Sequence, residues 1–137
     1  MQVSPYIFYQ GRCDEALEFY RKAVGAEVSM LMRYKDSPDS PPPGVIPPGW
    51  ENKVMHSTFT VGKSTLHASD GRGPGKEALQ GFSLSLTVAN PAEAERCFNA
   101  LADQGSVQMP LCKTFFSPRF GMLTDRFGVE WMVYVAP

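Results

Sequence analysis

Apolar and polar residues change their period several times along this chain. Val3 to Tyr9 is a short run rich in aromatic and β-branched residues, which predicts a strand ended by Gly11. From Asp14 to Val24, the residues Ala16, Leu17, Phe19, Tyr20, Ala23 and Val24 recur at helical spacing. Asp14 and Glu15 sit in the first turn and Arg21 and Lys22 in the last, as the helix dipole favours. Gly25 is a natural helix stop, and Ala26 to Tyr34 returns to strand. Val54–Val61 and Ser64–Ser69 then alternate about Gly62-Lys63, where glycine in the first loop position suits a type II′ hairpin.

The second half repeats the plan. Gly81 to Ala89 alternates as a strand. Asn90-Pro91-Ala92-Glu93 offers an N-cap, a proline at the first helical position and a capping-box acid. A helix continues through Ala94, Cys97, Phe98, Leu101 and Ala102 to a stop near Gly105. Strands follow over Ser106–Lys113, Phe120–Thr124 and Val129–Val135, the last two joined at Asp125–Gly128. Glu15–Tyr20 lies over Glu93–Phe98, with Gly25 and Gly105 closing the two helices. The pattern predicts an α+β fold of two tandem βαβββ modules in one domain, at about residues 1–70 and 81–137, with a linker over 71–80. Each module leaves one sheet face uncovered. The pair therefore predicts a curved mixed sheet, helices on its outer face and a small-molecule cleft inside.

Two segments interrupt the pattern. Lys35 to Glu51 contains Pro38, Pro41, Pro42, Pro43, Pro47 and Pro48, half of the chain's 12 prolines, and cannot join a ladder. Loops of this length act as lids or as excursions, and Trp50 at its end can anchor the loop or cover a ligand. Asp70 to Gln80, rich in glycine, reads as the linker. Its Gly71-Arg72-Gly73-Pro74-Gly75-Lys76 run fails the spacing of a phosphate loop, lacks Ser or Thr after the lysine and is broken by proline.

Composition narrows the function classes. A length of 137 residues fits one domain, and a net charge of -1 supplies no field for nucleic acid or an anionic membrane. No apolar run approaches the roughly 20 residues that span a bilayer, and Met1–Pro5 lacks a basic-then-apolar signal pattern. Cys13, Cys97 and Cys112 are odd in number and widely spaced, which is neither a disulfide framework nor a zinc motif. Free thiols as small hydrophobes suit a reducing cytoplasm.

Strand alternation then sorts the candidate chemistry. With Gly62-Lys63 as a two-residue loop, Thr58 faces His67 and His56 faces Ser69. His56, Thr58, Thr60, Thr65, His67 and Ser69 then share one face, while Phe59, Val61, Leu66 and Ala68 share the helix side. Both histidines of the chain therefore point to the cleft. They can form a proton-transfer or anion-binding pair, or can be half-buried groups bonded to Ser69, Thr58 or backbone. Ser83, Ser85 and Thr87 suit the cleft side, as do Glu130, Met132 and Tyr134, whereas Trp131, Val133 and Val135 suit the core. Phe115, Phe116 and Phe120 flank Ser117-Pro118-Arg119. This loop is either a substrate rim, with Arg119 gripping a carboxylate or phosphate, or a dimer surface.

The chain resembles the vicinal-oxygen-chelate (glyoxalase/bleomycin-resistance/dioxygenase) superfamily, and more closely its PhnB-like branch, whose members carry a demethylubiquinone methyltransferase label. The resemblance rests on Ser4-Pro5-Tyr6-Ile7 with Gly11 before Glu15-Ala16 and Phe19-Tyr20, and on Met55-His56-Ser57 leading through Gly62 to Ser69-Asp70. It rests most on Thr114-Phe115-Phe116, Phe120-Gly121-Met122, Asp125-Arg126-Phe127-Gly128-Val129 and Trp131-Met132. It implies a homodimer that binds a small molecule, and a lyase, isomerase or dioxygenase with a divalent metal as one activity. The family's metal slots fall near Pro5, His67, Ser83 and Met132. Only His67 is a good ligand, where a catalytic divalent site takes three. No Gly-x-Gly-x-x-Gly turn of a Rossmann-type methyltransferase is present. The reading is a binder of a small, partly apolar molecule, with an anionic group as one option. His56 and His67 are its candidate catalytic residues, and Thr58, Ser69, Ser83, Phe115, Phe116, Arg119, Glu130 and Met132 its candidate contacts.

Overall fold

Strands and helices succeed one another in the order the periodicities require. They are β1 (Tyr6–Phe8), α1 (Cys13–Val24), β2 (Glu27–Arg33), β3 (Val54–Val61), β4 (Ser64–Ser69), β5 (Leu84–Val88), α2 (Pro91–Ala102), β6 (Ser106–Cys112), β7 (Phe120–Thr124) and β8 (Glu130–Val135). Short 3-10 turns occupy Tyr34–Asp36 and Trp50–Asn52. The structure, a computed structural model, describes residues 1–39, 44, 46–73 and 79–137. Much of the proposed lid and the end of the glycine-rich linker lie outside the described residues. Among those described, no helix is long and apolar enough to cross a membrane.

The chain divides into two units, residues 1–76 and 77–137, each a βαβββ module. In the first, the strand order is β1-β4-β3-β2, with β1 parallel to β4 and the other pairs antiparallel. The second repeats it as β5-β8-β7-β6, with β5 parallel to β8. This is an α+β fold of two open, mixed, four-stranded sheets. The Gly62-Lys63 hairpin pairs Thr58 with His67, Thr60 with Thr65 and Val61 with Ser64. Gly62 adopts φ 56°, which glycine reaches without the steric cost of a Cβ. β1 is shorter than its apolar run. Pro5 can accept from the His67 amide but has no N–H to extend the ladder.

Each sheet buries one face against its helix. Ile7, Phe59, Leu66 and Ala68 are buried, as are Ala16, Leu17, Tyr20 and Ala23 on α1, and the Tyr20 and Phe59 rings stack at 6.2 Å. In the second unit Leu123, Trp131, Val133 and Val135 are buried, as are Ala94, Cys97, Phe98 and Leu101 of α2. Gly121 of β7 has no room for a side chain, because a Cβ there would lie 2.7 Å from the Phe98 ring.

The two helix starts are satisfied by different means. Asn90 caps α2 locally by accepting from the Glu93 amide, while the Glu93 carboxylate accepts from the Ala89 amide. α1 has no side-chain cap of its own at Arg12. Asp70, expected in a solvated linker, is instead fully buried and supplies that cap from the end of β4. Its Oδ1 accepts from the amides of Gly11 (3.0 Å) and Cys13 (2.7 Å), and its Oδ2 from the amide of Val54 (2.7 Å). A carboxylate at a helix N-terminus meets both the unpaired N–H groups and the dipole. Trp50 is buried against Gly11 and acts as an anchor.

The helix ends also differ. Gly25 closes α1 in the left-handed conformation, as expected. At the end of α2 the positive φ falls on Gln104 instead. Gly105 is required for a different reason: a Cβ there would come within 2.2 Å of the Thr124 carbonyl.

Two outcomes follow. A buried N–H left without a partner costs roughly 1–3 kcal/mol. Asp70→Ala, which strands three of them, should lower urea-unfolding stability by at least about 3 kcal/mol, whereas Asn90→Ala should cost only about 1 kcal/mol. Cys13 is fully buried, and burial, with the Asp70 charge second, pushes its thiol up to about 12. In the folded protein a thiol reagent should therefore modify half-buried Cys112 well before Cys13, as read by peptide mass spectrometry.

Candidate functional site

The face of the first sheet that α1 leaves uncovered carries the predicted histidine pair. Cross-strand partners point to the same side, so the pairings Tyr6–His67, Thr58–His67, Met30–Thr58 and Met32–His56 place all six residues on one surface. The His56 and His67 rings lie 5.4 Å apart at 25°. Tyr6, absent from the predicted site, stands 5.5 Å from the His56 ring and 5.9 Å from the His67 ring, with Phe8 a further 5.1 Å beyond. Parallel pairing of β1 with β4 brings it there, a contact that local pattern does not encode.

Each imidazole is hydrogen-bonded to a hydroxyl. The Tyr6 hydroxyl lies 3.0 Å from His56 Nδ1, and the Thr58 hydroxyl 3.1 Å from His67 Nδ1. Among the described residues, Nε2 of both rings has no protein partner. Burial, and secondarily the neighbouring His67, lowers the His56 pKa below its ordinary 6.5, so this ring is neutral at neutral pH. Tyr34 borders the cluster. Its hydroxyl donates to the Gly71 carbonyl at 2.6 Å, and burial, with Tyr6 second, raises its pKa. Ser69 is on the same sheet but buried, its hydroxyl accepting from the Gly71 amide.

The remaining candidates belong to the second unit and its own sheet. Ser83, Glu130 and Met132 lie on the face away from α2, with the Ser83 hydroxyl 3.5 Å from Glu130. Met132, Met122 and Met109 are consecutive cross-strand partners there. Phe116 packs edge-on to Phe120 at 5.0 Å and stacks over Tyr134, whereas Phe115 is fully exposed. Arg119 is engaged within the protein, with Glu95 of α2 and, at 3.1 Å, with the Leu111 carbonyl. Trp131 is core, its Nε1 donating to buried Asp125 at 2.9 Å.

The divalent metal that the sequence resemblance implies does not fit these residues. Facing His67 on β1 is the phenol Tyr6, and facing Met132 on β5 is Ser85. An imidazole with a phenol in the first unit, and a hydroxyl with a thioether in the second, are each a poor donor set for such an ion. Among the described residues no three His, Cys, Asp or Glu side chains gather.

Residues 1–134 match the model of the 3-demethylubiquinone-9 3-methyltransferase family. The chain belongs to that family. Over 98% of its length and 95% of the relative's, it is 32% identical to protein YjdN of Escherichia coli (strain K12). The solved structure of protein PA1353 from Pseudomonas aeruginosa is 44% identical, with a TM-score of 0.86 over 99% of this chain and 98% of that one. A putative 3-demethylubiquinone-9 3-methyltransferase, PhnB protein, from Bacillus cereus is 28% identical, with a TM-score of 0.83 over 99% and 100% of the two chains. At the level of fold, the chain is similar to a glyoxylase/bleomycin resistance protein/dioxygenase domain from Frankia sp. EAN1pec, at 12% identity and a TM-score of 0.70 over 99% and 95%. The likeness to the Frankia domain is one of fold.

A lowered imidazole pKa has a signed consequence for this family member. Above pH 6.5 both folded and unfolded His56 are neutral and the native state keeps its full stability. As pH falls below 6.5 the unfolded state takes up the proton first, so stability drops until the folded pKa is passed. Urea titrations across this range should show that loss in the wild type and a shallower one in His56→Gln.

Proposed function

We propose that this protein binds a small, partly apolar molecule on the uncovered face of its first module. The observation that carries the reading is the Tyr6–His56–His67 cluster. Its three rings are within 6 Å of one another, hydrogen-bonded at Nδ1 and without protein partners at Nε2 among the described residues. A largely apolar surface with a few convergent polar atoms is the usual make-up of a small-molecule site. Five of the chain's seven methionines, Met30, Met32, Met109, Met122 and Met132, lie on the uncovered faces of the two sheets. Flexible, polarisable thioethers suit a surface that adapts to its ligand.

Binding takes precedence over metal-dependent lysis, isomerisation or dioxygenation because the donor set is incomplete. It takes precedence over methyl transfer because neither strand-to-helix turn, at residues 9–13 or 89–91, carries the Gly-x-Gly-x-x-Gly fingerprint. His56 and His67 are the groups available for proton transfer, should the bound molecule react. Ser83, Glu130 and Met132 remain candidate contacts on the second sheet, with Phe115 and Phe116 at its aromatic loop. A homodimer in a reducing cytoplasm completes the proposal. The edge strand β2 exposes Val28, Met30 and Leu31, apolar groups that an unpaired edge would ordinarily avoid.

Three measurements test it. Planar aromatic compounds should perturb the ring resonances of Tyr6, His56 and His67, and His67→Ala should weaken their binding about tenfold or more, equivalent to at least ~1.4 kcal/mol. Signals elsewhere shifting while these stay fixed would refute the site. Thermal shift against nickel, zinc, manganese and iron should be flat, and tight one-to-one uptake would favour a metalloenzyme. Sedimentation should give about twice the 15.1 kDa chain mass.

A further inference from the structure

Met109, Met122 and Met132 stand in one row across the second sheet. Met109 pairs with Met122 and Met122 with Met132, so three neighbouring strands, β6, β7 and β8, each place one thioether on the face away from α2. Ser85 of β5 continues the row beside Met132. Strands ordinarily favour β-branched and aromatic side chains, and the helix side of β8 keeps that habit with Trp131, Val133 and Val135. Three consecutive methionines on the opposite side depart from it.

The spacing lets the three sulfurs meet. Directly opposed side chains have Cβ atoms about 5 Å apart, so Met109 and Met132 each stand one strand from Met122 and roughly 10 Å from each other. Methionine is unbranched, with three rotatable bonds, and the outer two can lean inward over the central one. All three are half-buried, so the row is open to an ion from solvent.

Donor chemistry then selects the ion. Soft thioethers suit Cu(I), whereas hard divalent ions take carboxylate, carbonyl and water. Glu130 lies two residues from Met132 on the same face, and among the described residues its carboxylate meets only the Ser83 hydroxyl, at 3.5 Å. Arg119 is drawn to Glu95 of α2. Phe120 and Tyr134, cross-strand partners beside the row, carry ring faces that attract cations. A monovalent cation here is balanced by one carboxylate.

We propose that Met109, Met122 and Met132 form a three-thioether site for a soft monovalent cation, with Cu(I) as the natural occupant and Ag(I) as its redox-stable analogue. The site lies wholly within the second module and does not depend on the binding reading of the first. It shares only Met132 with the divalent slots that the sequence resemblance implies. Binding is coordination alone: no electron is transferred and no bond within the protein changes.

Silver(I) titration, read from the methionine ε-methyl signals in carbon-13 NMR, tests the proposal. Cys112 pairs with Phe120 at the rim of the same face, and an accessible thiol captures silver by itself. The titration therefore uses the full chain carrying Cys112→Ser, in which the remaining cysteines, Cys13 and Cys97, are buried. The Met109, Met122 and Met132 signals should move together and saturate at a one-to-one ratio, while exposed Met1 stays fixed and zinc(II) moves none of them. Adding Met122→Leu, which nearly conserves volume, should weaken silver binding about tenfold or more, once circular dichroism shows the protein folded; the first titration decides without it. Signals of Met30 and Met32 moving ahead of the three, Met1 moving in step with them, or no movement in excess silver would each overturn the site.

Discussion

A single buried carboxylate organises the first module. Asp70 follows β4, yet it terminates α1 at its N-terminus, fixes the turn after β1 through Gly11 and holds the start of β3 through Val54. A buried anion is expensive unless every lone pair it exposes is met, and here three backbone N–H groups meet it. The elements joined in this way are those that present Tyr6, His56 and His67. The site's geometry is therefore set from beneath the sheet, on the side opposite the imidazoles.

The duplicated modules share topology but divide their chemistry. The second caps its helix with a local asparagine and carries thioethers and aromatic rings on its uncovered face. The first relies on a distant aspartate and carries both histidines of the chain. Repetition supplies the scaffold twice, and the differences between the copies are where candidate chemistry sits. Membership of the 3-demethylubiquinone-9 3-methyltransferase family gives the architecture a name without giving the site a reaction, since fold alone does not carry function.

What could be read in advance was local. The β3–β4 register was legible because Gly62-Lys63 and a period of two fix every partner, and that placed His56, Thr58 and His67 on one face correctly. The N-cap at Asn90 was legible because cap, proline and acid are adjacent in sequence. Three features were not. Tyr6 joins the histidines only through the parallel β1–β4 pairing, which crosses 61 residues from Tyr6 to His67. Asp70 looked like the first residue of a glycine-rich linker, and nothing nearby revealed its bonds to Gly11 and Cys13. Arg119 suited an anion contact until its partner Glu95 was brought beside it by the packing of α2. In each case the missing information was a tertiary contact, and the residue type alone pointed to several roles.

Amide hydrogen exchange at Gly11, Cys13 and Val54 tests most directly whether Asp70 is the tie on which the site depends. In the wild type the three amides should exchange as slowly as those within the β3–β4 ladder, although none of them has its slow exchange explained by a strand partner alone. In Asp70→Ala they should lose that protection together, while the Glu93 amide capped by Asn90 keeps its own. Rapid exchange at these positions in the wild type, or protection undiminished in the variant, would contradict the account.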